Sequence, residues 1–175
     1  MSIFSKDFEN KYTKKIALNI VNRILNDPSK MKDLMECFLG DDIRITQRAA
    51  WPLGMLGEHA PDLISPYNLT LLKIVKDDKS TDTVVRNILR TWKEIDFDED
   101  LEGEIYDACY SLFINQKNAI AIRVFSMYVC ANICCKYPEL ADEIIPEIEL
   151  NINHDSPAIR SSSKSCLKRL HKAKS

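Results

Sequence analysis

The residues of this 175-residue chain that could perform chemistry are its six cysteines and three histidines. Cys130 and Cys134 are four residues apart, which places both thiols on one face of a helix, and Cys135 follows directly. A zinc site needs ligand pairs with suitable geometry, but the chain contains no CxxC sequence and its histidines are scattered. No cysteine lies in a sequence typical of a catalytic nucleophile. We therefore expect reduced, buried thiols, no metal, no cofactor and no catalytic residue, and we favour a protein that is not an enzyme.

Four arginines are a stronger signal, because they recur at an almost constant interval. Arg48, Arg86, Arg123 and Arg160 are 37 or 38 residues apart. This is the length of a pair of helices, and two short helices cannot bury their apolar faces alone. The period therefore predicts a series of stacked helix pairs in which each pair covers its neighbour.

The elements that must position these arginines are helices. The chain has only four glycines and seven prolines, so hairpin turns are scarce. Ser156-Pro157 and Asp27-Pro28 are typical helix starts. We predict one domain over residues 1–175 with nine helices, and we expect Pro52, Pro66 and Pro146 to kink or delay the helices that contain them. The predicted helices span residues 6–26, 28–39, 42–57, 62–76, 80–95, 99–114, 117–136, 139–151 and 157–172.

The amino terminus predicts where the protein works. It lacks the apolar segment of a secretory signal and is charged from Lys6 onward. The longest uncharged segment near the centre is too short and too polar to cross a bilayer. We expect a cytoplasmic protein that does not contact a membrane.

Short sequences around the arginines carry a family resemblance. They are Asp82 to Arg86, Asn118 to Arg123 and Asp155 to Arg160, with Pro61-Asp62-Leu63 and Pro138-Glu139-Leu140 after two of the arginine helices. Together they resemble HEAT-type repeats, over about residues 27–172. The resemblance implies an all-α fold, a right-handed α-α superhelix (a HEAT/ARM-like solenoid) of about four helix pairs.

The resemblance also implies a role for the periodic residues. In HEAT-like repeats the arginine and the preceding aspartate form a ladder that links neighbouring repeats and satisfies loop carbonyls. The ladder would here consist of Arg48, Asp82, Arg86, Arg123, Asp155 and Arg160.

A narrower resemblance concerns the sequences at Gln47–Trp51, Arg123–Met127 and Tyr137–Leu140. They are similar to a group of short bacterial HEAT-like proteins, some of which carry the label of adenylosuccinate lyase. We do not expect that activity, because the lyase family is far longer and uses a Gly-Ser-Ser signature loop that this chain lacks.

The arginine helices line the concave side in HEAT-like folds, so their exposed side chains would form a groove. The candidate groove residues are Arg44, Trp51, Arg90, Trp92, Lys93, Lys117, Lys164 and Lys168. Our preferred hypothesis is a non-enzymatic scaffold whose basic groove holds an acidic peptide or protein segment, with a tryptophan as anchor. Core packing is the competing interpretation of the tryptophans.

A second hypothesis comes from another class of protein. The alkylpurine DNA glycosylases are built of HEAT-like repeats and hold DNA with tryptophan, aspartate and arginine, for which Trp51, Trp92, Asp82 and Arg123 are the candidates. The net charge of −2 and the pI near 5.9 disfavour nucleic-acid binding. A homodimer formed through an exposed end repeat is compatible with either hypothesis.

Charge is also unevenly distributed along the chain. Eight acidic residues and no basic one lie between Glu94 and Asp107, whereas no acidic residue follows Asp155. Solvated helix faces explain such segments in the simplest case, and a surface for a partner is the alternative.

Overall fold

The computed structural model describes residues 2–9 and 11–174. In these residues the regular structure consists of ten α-helices and four short 3-10 turns, without a β-strand. The helices form two compact units, Met1–Ile95 and Asp96–Ser175. The all-α class predicted from the sequence is confirmed.

The first unit is organised around its fourth helix. Helix α4 packs against α1, α2, α3 and α6, and α5 packs against α6. The apolar face of α4 includes Ala49, Ala50, Leu53 and Leu56, which are fully buried. The helices of this unit are α1 (Ser5–Glu9), α2 (Lys14–Asn26), α3 (Met31–Phe38), α4 (Ile43–Leu56), α5 (Asn68–Val75) and α6 (Asp82–Trp92), and its 3-10 turns are Pro28–Lys30, Pro61–Leu63 and Ser65–Tyr67.

The second unit repeats this plan around α8, which packs against α7, α9 and α10. Helix α8 is apolar on most of its circumference, and Met127, Val129, Cys130 and Cys134 are fully buried. The helices of this unit are α7 (Glu99–Ile114), α8 (Ile120–Lys136), α9 (Ala141–Glu149) and α10 (Pro157–Ala173), with a 3-10 turn at Pro138–Leu140.

In each unit the arginine helices pack on one another, α4 on α6 and α8 on α10. The first of these crossings depends on Gly54 of α4 and on Gly57, the residue that caps α4. A Cβ atom added at Gly57 would lie 2.6 Å from the Cα atom of Thr91, and one added at Gly54 would lie 2.7 Å from Oδ1 of Asn87. The hydroxyl of Thr91 donates a 3.2 Å hydrogen bond to the Leu53 carbonyl across the same contact. The glycines therefore allow α6 to approach the backbone of α4.

The first predicted helix, 6–26, is wrong as a single element, because α1 and α2 are separate helices. Thr13 has an extended backbone and its side chain accepts a hydrogen bond from the Ile16 amide, so it caps a new helix. The threonine is a start signal that the apolar pattern of the segment concealed.

Prolines explain the next difference. The predicted helix 62–76 begins only at Asn68, after two 3-10 turns, and Pro66 lies in the second of them. Pro52 and Pro146, in contrast, lie inside α4 and α9.

No helix in the described parts of the chain is both long and apolar enough to span a membrane.

Candidate functional site

Arg123 is the most deeply buried of the periodic arginines, with 3% of its surface exposed. Its Nε donates to the Phe113 carbonyl at 3.0 Å, and its Nη2 donates to Oδ1 of Asn151 at 2.9 Å. Its Nη1 lies 3.5 Å from Nε2 of His154. Burial lowers the pKa of the guanidinium, but arginine stays charged in proteins, so the hydrogen bonds must compensate a buried cation. Arg123 links the end of α7 to the end of α9.

The other periodic arginines differ in their surroundings. Arg48 donates to the Phe8 carbonyl at 2.5 Å, and its guanidinium lies 5.8 Å from the centre of the Tyr12 ring. Arg160 donates to the carbonyls of His154 and Asp155, at 2.8 Å each. Arg86 is exposed in the second turn of α6. Three of the four arginines thus hold backbone carbonyls within their own units.

The two aspartates of the predicted ladder, Asp82 and Asp155, are exposed. Asp82 is the first residue of α6, where a carboxylate favours the positive end of the helix dipole. Asp155 contributes its backbone carbonyl to Arg160. The ladder stays a prediction for the contacts between repeats.

The predicted groove cations fall into two classes. Arg90 and Lys93 are half-buried and paired with carboxylates, Arg90 with Glu58 at 2.7 Å and Lys93 with Glu94 at 2.6 Å. The others are exposed: Arg44, Lys117, Lys164 and Lys168. Arg44 lies in the first turn of α4 and Lys117 in the loop before α8, while Lys164 and Lys168 are one turn apart on α10.

The two tryptophans also differ. Trp92 is completely buried, and its Nε1 donates a 3.0 Å hydrogen bond to Oδ1 of Asn68. This burial makes Trp92 a core residue and removes it from the side chains that a ligand can contact. Trp51 is half-buried and meets the Tyr12 ring edge-on at 6.0 Å.

Two of the four residues considered for DNA repair are buried side chains. Trp92 and Arg123 are buried and hydrogen-bonded inside separate units, so neither presents a free face or free donors. Asp82 is exposed at a helix start.

The second unit contains a pocket that we call the acidic pocket, with a volume of about 340 Å³. It lies between the first half of α7, the end of α8 and the turn that leads into α9. Five carboxylates and two tyrosines account for most of its wall. They are Glu99, Glu102, Asp107, Glu139, Glu143, Tyr106 and Tyr137.

Glu102 is the buried member of this group, with 2% of its surface exposed. Its Oε1 accepts a hydrogen bond from Nζ of Lys136 at 2.5 Å, and the same ammonium group contacts Asp96. The contacts with Asp96 and Glu102 raise the pKa of Lys136. The other oxygen, Oε2, is buried and has no hydrogen-bond partner among the described residues.

The tyrosines complete the wall. The Tyr106 hydroxyl donates to Oε2 of Glu143 at 3.3 Å, and burial raises the pKa of the Tyr106 phenol. Tyr137 is half-buried, and the adjacent Glu102 carboxylate raises the pKa of its phenol. Both phenols therefore stay neutral at physiological pH.

The cysteines of the second unit lie in its core. Cys109, Cys130, Cys134 and Cys166 have no exposed surface, and Cys135 is half-buried. Burial raises the pKa of Cys134 and of Cys166 to about 12. The thiolate, which is the nucleophile and the metal ligand, is therefore disfavoured in these positions. In the part of the chain that the structure describes, no three His, Cys, Asp or Glu residues are grouped as metal ligands.

The family model of the HEAT repeat domain matches residues 4–170. The chain belongs to this family. The crystal structure of an engineered protein is similar to it, with a TM-score of 0.66 and 13% sequence identity over 91% of this chain and 73% of that chain. No curated protein matches the chain. The HEAT-type resemblance and the all-α solenoid class are thereby confirmed.

A second pocket of this HEAT repeat chain, of about 310 Å³, lies in the first unit where the α3–α4 and α5–α6 connections meet. Leu39 and Ile43 line it and are exposed, with 46% and 63% of their surface accessible. The hydroxyl of Thr81 at its wall is buried without a hydrogen-bond partner within the described residues. Fewer charged residues line this pocket than line the acidic pocket.

Sequence reasoning identified the acidic segment but missed the pocket within it. Glu102 is separated by helical intervals from Ile105, Tyr106 and Cys109, which are all buried. A glutamate in the apolar stripe of a helix is the signal that could have singled it out from its seven acidic neighbours.

Proposed function

We propose that this HEAT repeat chain is a protein-interaction scaffold that holds an acidic peptide segment against the exposed face of α10. The family supports a repeat scaffold. The observation that carries the finer proposal is the pair Lys164 and Lys168, which are exposed one helical turn apart and have no carboxylate partner in the described residues. Arg90 and Lys93, in contrast, are already paired with carboxylates.

Helix α8 packs alongside α10. The Ser163 hydroxyl contacts Sδ of Met127 at 3.7 Å, and Nη2 of Arg169 donates to Oδ1 of Asn132 at 2.6 Å. These two contacts pair residues of α8 and α10 in parallel register, and Tyr128 and Lys164 each follow the first pair by one residue. Tyr128 is half-buried. We propose that a peptide with acidic and apolar residues contacts Tyr128 as well as the two lysines.

The partner that we propose is an anionic peptide segment that also carries apolar residues. Exposed lysines steer an anionic segment and contribute to specificity, while partly buried aromatic rings supply contact area. Because the cations are exposed, we expect the affinity to fall as salt concentration rises.

The test is a selection from a random dodecapeptide library against the full chain. Wild type, Lys164→Glu/Lys168→Glu and the matched control Lys32→Glu/Lys73→Glu, which reverses two exposed charges on α3 and α5, would be used in parallel. We expect acidic peptides to be enriched on wild type. By fluorescence anisotropy their affinity should fall roughly tenfold or more for the α10 variant and stay unchanged for the control.

Two results would contradict the proposal: a selection without enrichment over an unloaded matrix, or equal losses of affinity in both double variants. A gel shift with an abasic-site duplex at low salt addresses the nucleic-acid hypothesis. We expect no shift at micromolar protein, since the net charge of −2 disfavours binding to phosphates.

A further inference from the structure

The acidic pocket carries a large excess of negative charge. Five carboxylates line it, and Lys136 is the one cation among the described residues that bonds to any of them. The ammonium group of Lys136 is itself shared with Asp96, outside the pocket. The local field therefore favours a positively charged ligand.

Helix ends explain part of this charge. Glu99 begins α7, and Glu143 lies in the first turn of α9, where carboxylates are stabilised by the positive end of the helix dipole. That explanation does not extend to Glu102, because the dipole does not require a carboxylate to be buried. A buried carboxylate oxygen without a donor costs free energy, and such oxygens are rare in folded proteins.

Glu102 is thus an independent indication of a ligand. Its side chain is 3% exposed, it lines the pocket, and Oε2 has no hydrogen-bond donor in the described structure.

We propose that the acidic pocket binds the guanidinium group of an arginine side chain supplied by a protein partner. A guanidinium is flat and has five N–H donors, which suits carboxylates that approach from α7 and from α9. The half-buried ring of Tyr137 in the wall offers a surface on which it stacks. The volume of about 340 Å³ accommodates the group with its methylene stem.

The arginine site goes beyond the proposed function and does not depend on it. The peptide surface of α10 is basic, whereas this pocket is acidic and is built by α7, α8 and α9. A partner that uses both would carry an acidic segment and a separate arginine.

The direct test is an NMR titration of the full ¹⁵N-labelled chain with Nα-acetyl-arginine methylamide. We expect saturable shifts of the backbone amides of Glu102, Gly103 and Tyr106, with a dissociation constant of about a millimolar, as suits so small a ligand. The neutral isostere Nα-acetyl-citrulline methylamide should produce no saturable shift. The lysine analogue should bind roughly fivefold more weakly, because an ammonium is compact and strongly hydrated.

Variants at the mouth of the pocket test the site without disturbing the core. Glu139→Gln/Glu143→Gln removes two exposed charges from its wall, and Glu149→Gln/Asp155→Asn removes two exposed charges elsewhere in the second unit. The first pair should weaken arginine binding roughly tenfold and the second should leave it unchanged. Glu102→Gln should weaken it further if the folded spectrum is retained.

The inference would be overturned by the absence of saturable shifts, by equal binding of the citrulline analogue, or by equal effects of the two double variants. These results are separable from those for α10, because Lys164 and Lys168 do not line the acidic pocket.

Discussion

At the scale of single residues, Arg123 is a buried cation whose charge must be compensated by hydrogen bonds. Its charge is almost completely removed from water, and the Phe113 carbonyl and the Asn151 amide oxygen supply acceptors in place of water. Asn151 is itself fixed, since its Nδ2 donates to the Glu147 carbonyl at 2.8 Å. A buried arginine of this kind contributes little net stability through electrostatic attraction. Its removal is costly because the buried acceptors that it bonds would be left unpaired.

Replacing Arg123 therefore leaves its buried acceptors without a hydrogen-bond donor. Arg123→Ala should lower the free energy of unfolding by about 1–3 kcal/mol, because the Phe113 carbonyl and Asn151 lose their donor in a buried site. Arg86→Ala is the matched control at the equivalent repeat position, and since Arg86 is exposed it should change stability by less than about 0.5 kcal/mol. Urea denaturation monitored by circular dichroism measures both. Equal effects at the two positions would show that burial does not distinguish them.

The buried thiols predict how stability depends on pH. The folded pKa of Cys134 and of Cys166 is raised to about 12, while an unfolded thiol ionises near pH 8.5, so the unfolded chain releases protons first as pH rises. Their contribution to stability is therefore full below about pH 8.5 and decreases above it, by up to about 1.4 kcal/mol per pH unit for each protected thiol. Urea denaturation under reducing conditions at pH 7.5, 8.5 and 9.5 should show the decrease.

A double variant isolates this thiol effect. Cys134→Ala/Cys166→Ala should have a shallower decline of stability between pH 8.5 and 9.5 than wild type, whatever its stability at pH 7.5. Identical slopes would assign the pH dependence to other groups.

At the scale of elements, the crossing of α4 and α6 depends on missing side chains. Gly54 occupies the position at which the later arginine helices have Trp92, Val129 and Cys166, all of them fully buried. The exception at Gly54 has a physical reason, because a Cβ atom there would lie 2.7 Å from Oδ1 of Asn87. Asn87 is held in place, since its Nδ2 donates to the Thr83 carbonyl at 2.8 Å.

Gly57 tests this crossing most directly. In Gly57→Ala the new Cβ atom would lie 2.6 Å from the Cα atom of Thr91, so the helices must separate, and we expect a loss of about 1–3 kcal/mol in the free energy of unfolding. Gly103→Ala is the control within α7, where a Cβ atom meets nothing within 4 Å. Because alanine is the better helix former, the control should be neutral or stabilising by up to about 1 kcal/mol. Thermal unfolding of both variants checks the prediction, and a neutral Gly57→Ala would contradict it.

The helices were predictable where local signals agree with burial. Helix α7 begins and ends where the sequence predicts, and α10 differs by one residue at its end. The start of α2 was not predictable, because Thr13 is the one capping signal and the apolar pattern of the segment continues through this residue. The acidic pocket could be predicted only in part: the acidic segment is visible in the sequence, but its meeting with Tyr137 and Glu143 depends on how α8 and α9 return to α7.

At the scale of the whole molecule, the sequence predicts one domain, and the helices group into two compact units. In HEAT repeat chains each repeat covers the apolar face of the next, which couples the stability of neighbouring repeats. Because this chain has only about four helix pairs, we expect it to unfold cooperatively. The chain offers separate reporters, since both tryptophans belong to the first unit and five of the six cysteines belong to the second.

The effect of a substitution in the second unit can therefore be measured by the tryptophan fluorescence of the first unit. Val129 is fully buried in α8, and Val129→Asp places a charge among apolar side chains at a cost of several kcal/mol, enough to unfold the second unit. If the chain is one domain, as we expect, the fluorescence of Trp51 and Trp92 shifts to the unfolded value together with the loss of the helical signal at 222 nm. Ser165→Asp, at an exposed position of α10, is the control and should keep both native signals. A variant that loses about half of its helicity and retains native tryptophan fluorescence would show instead that the two units fold independently.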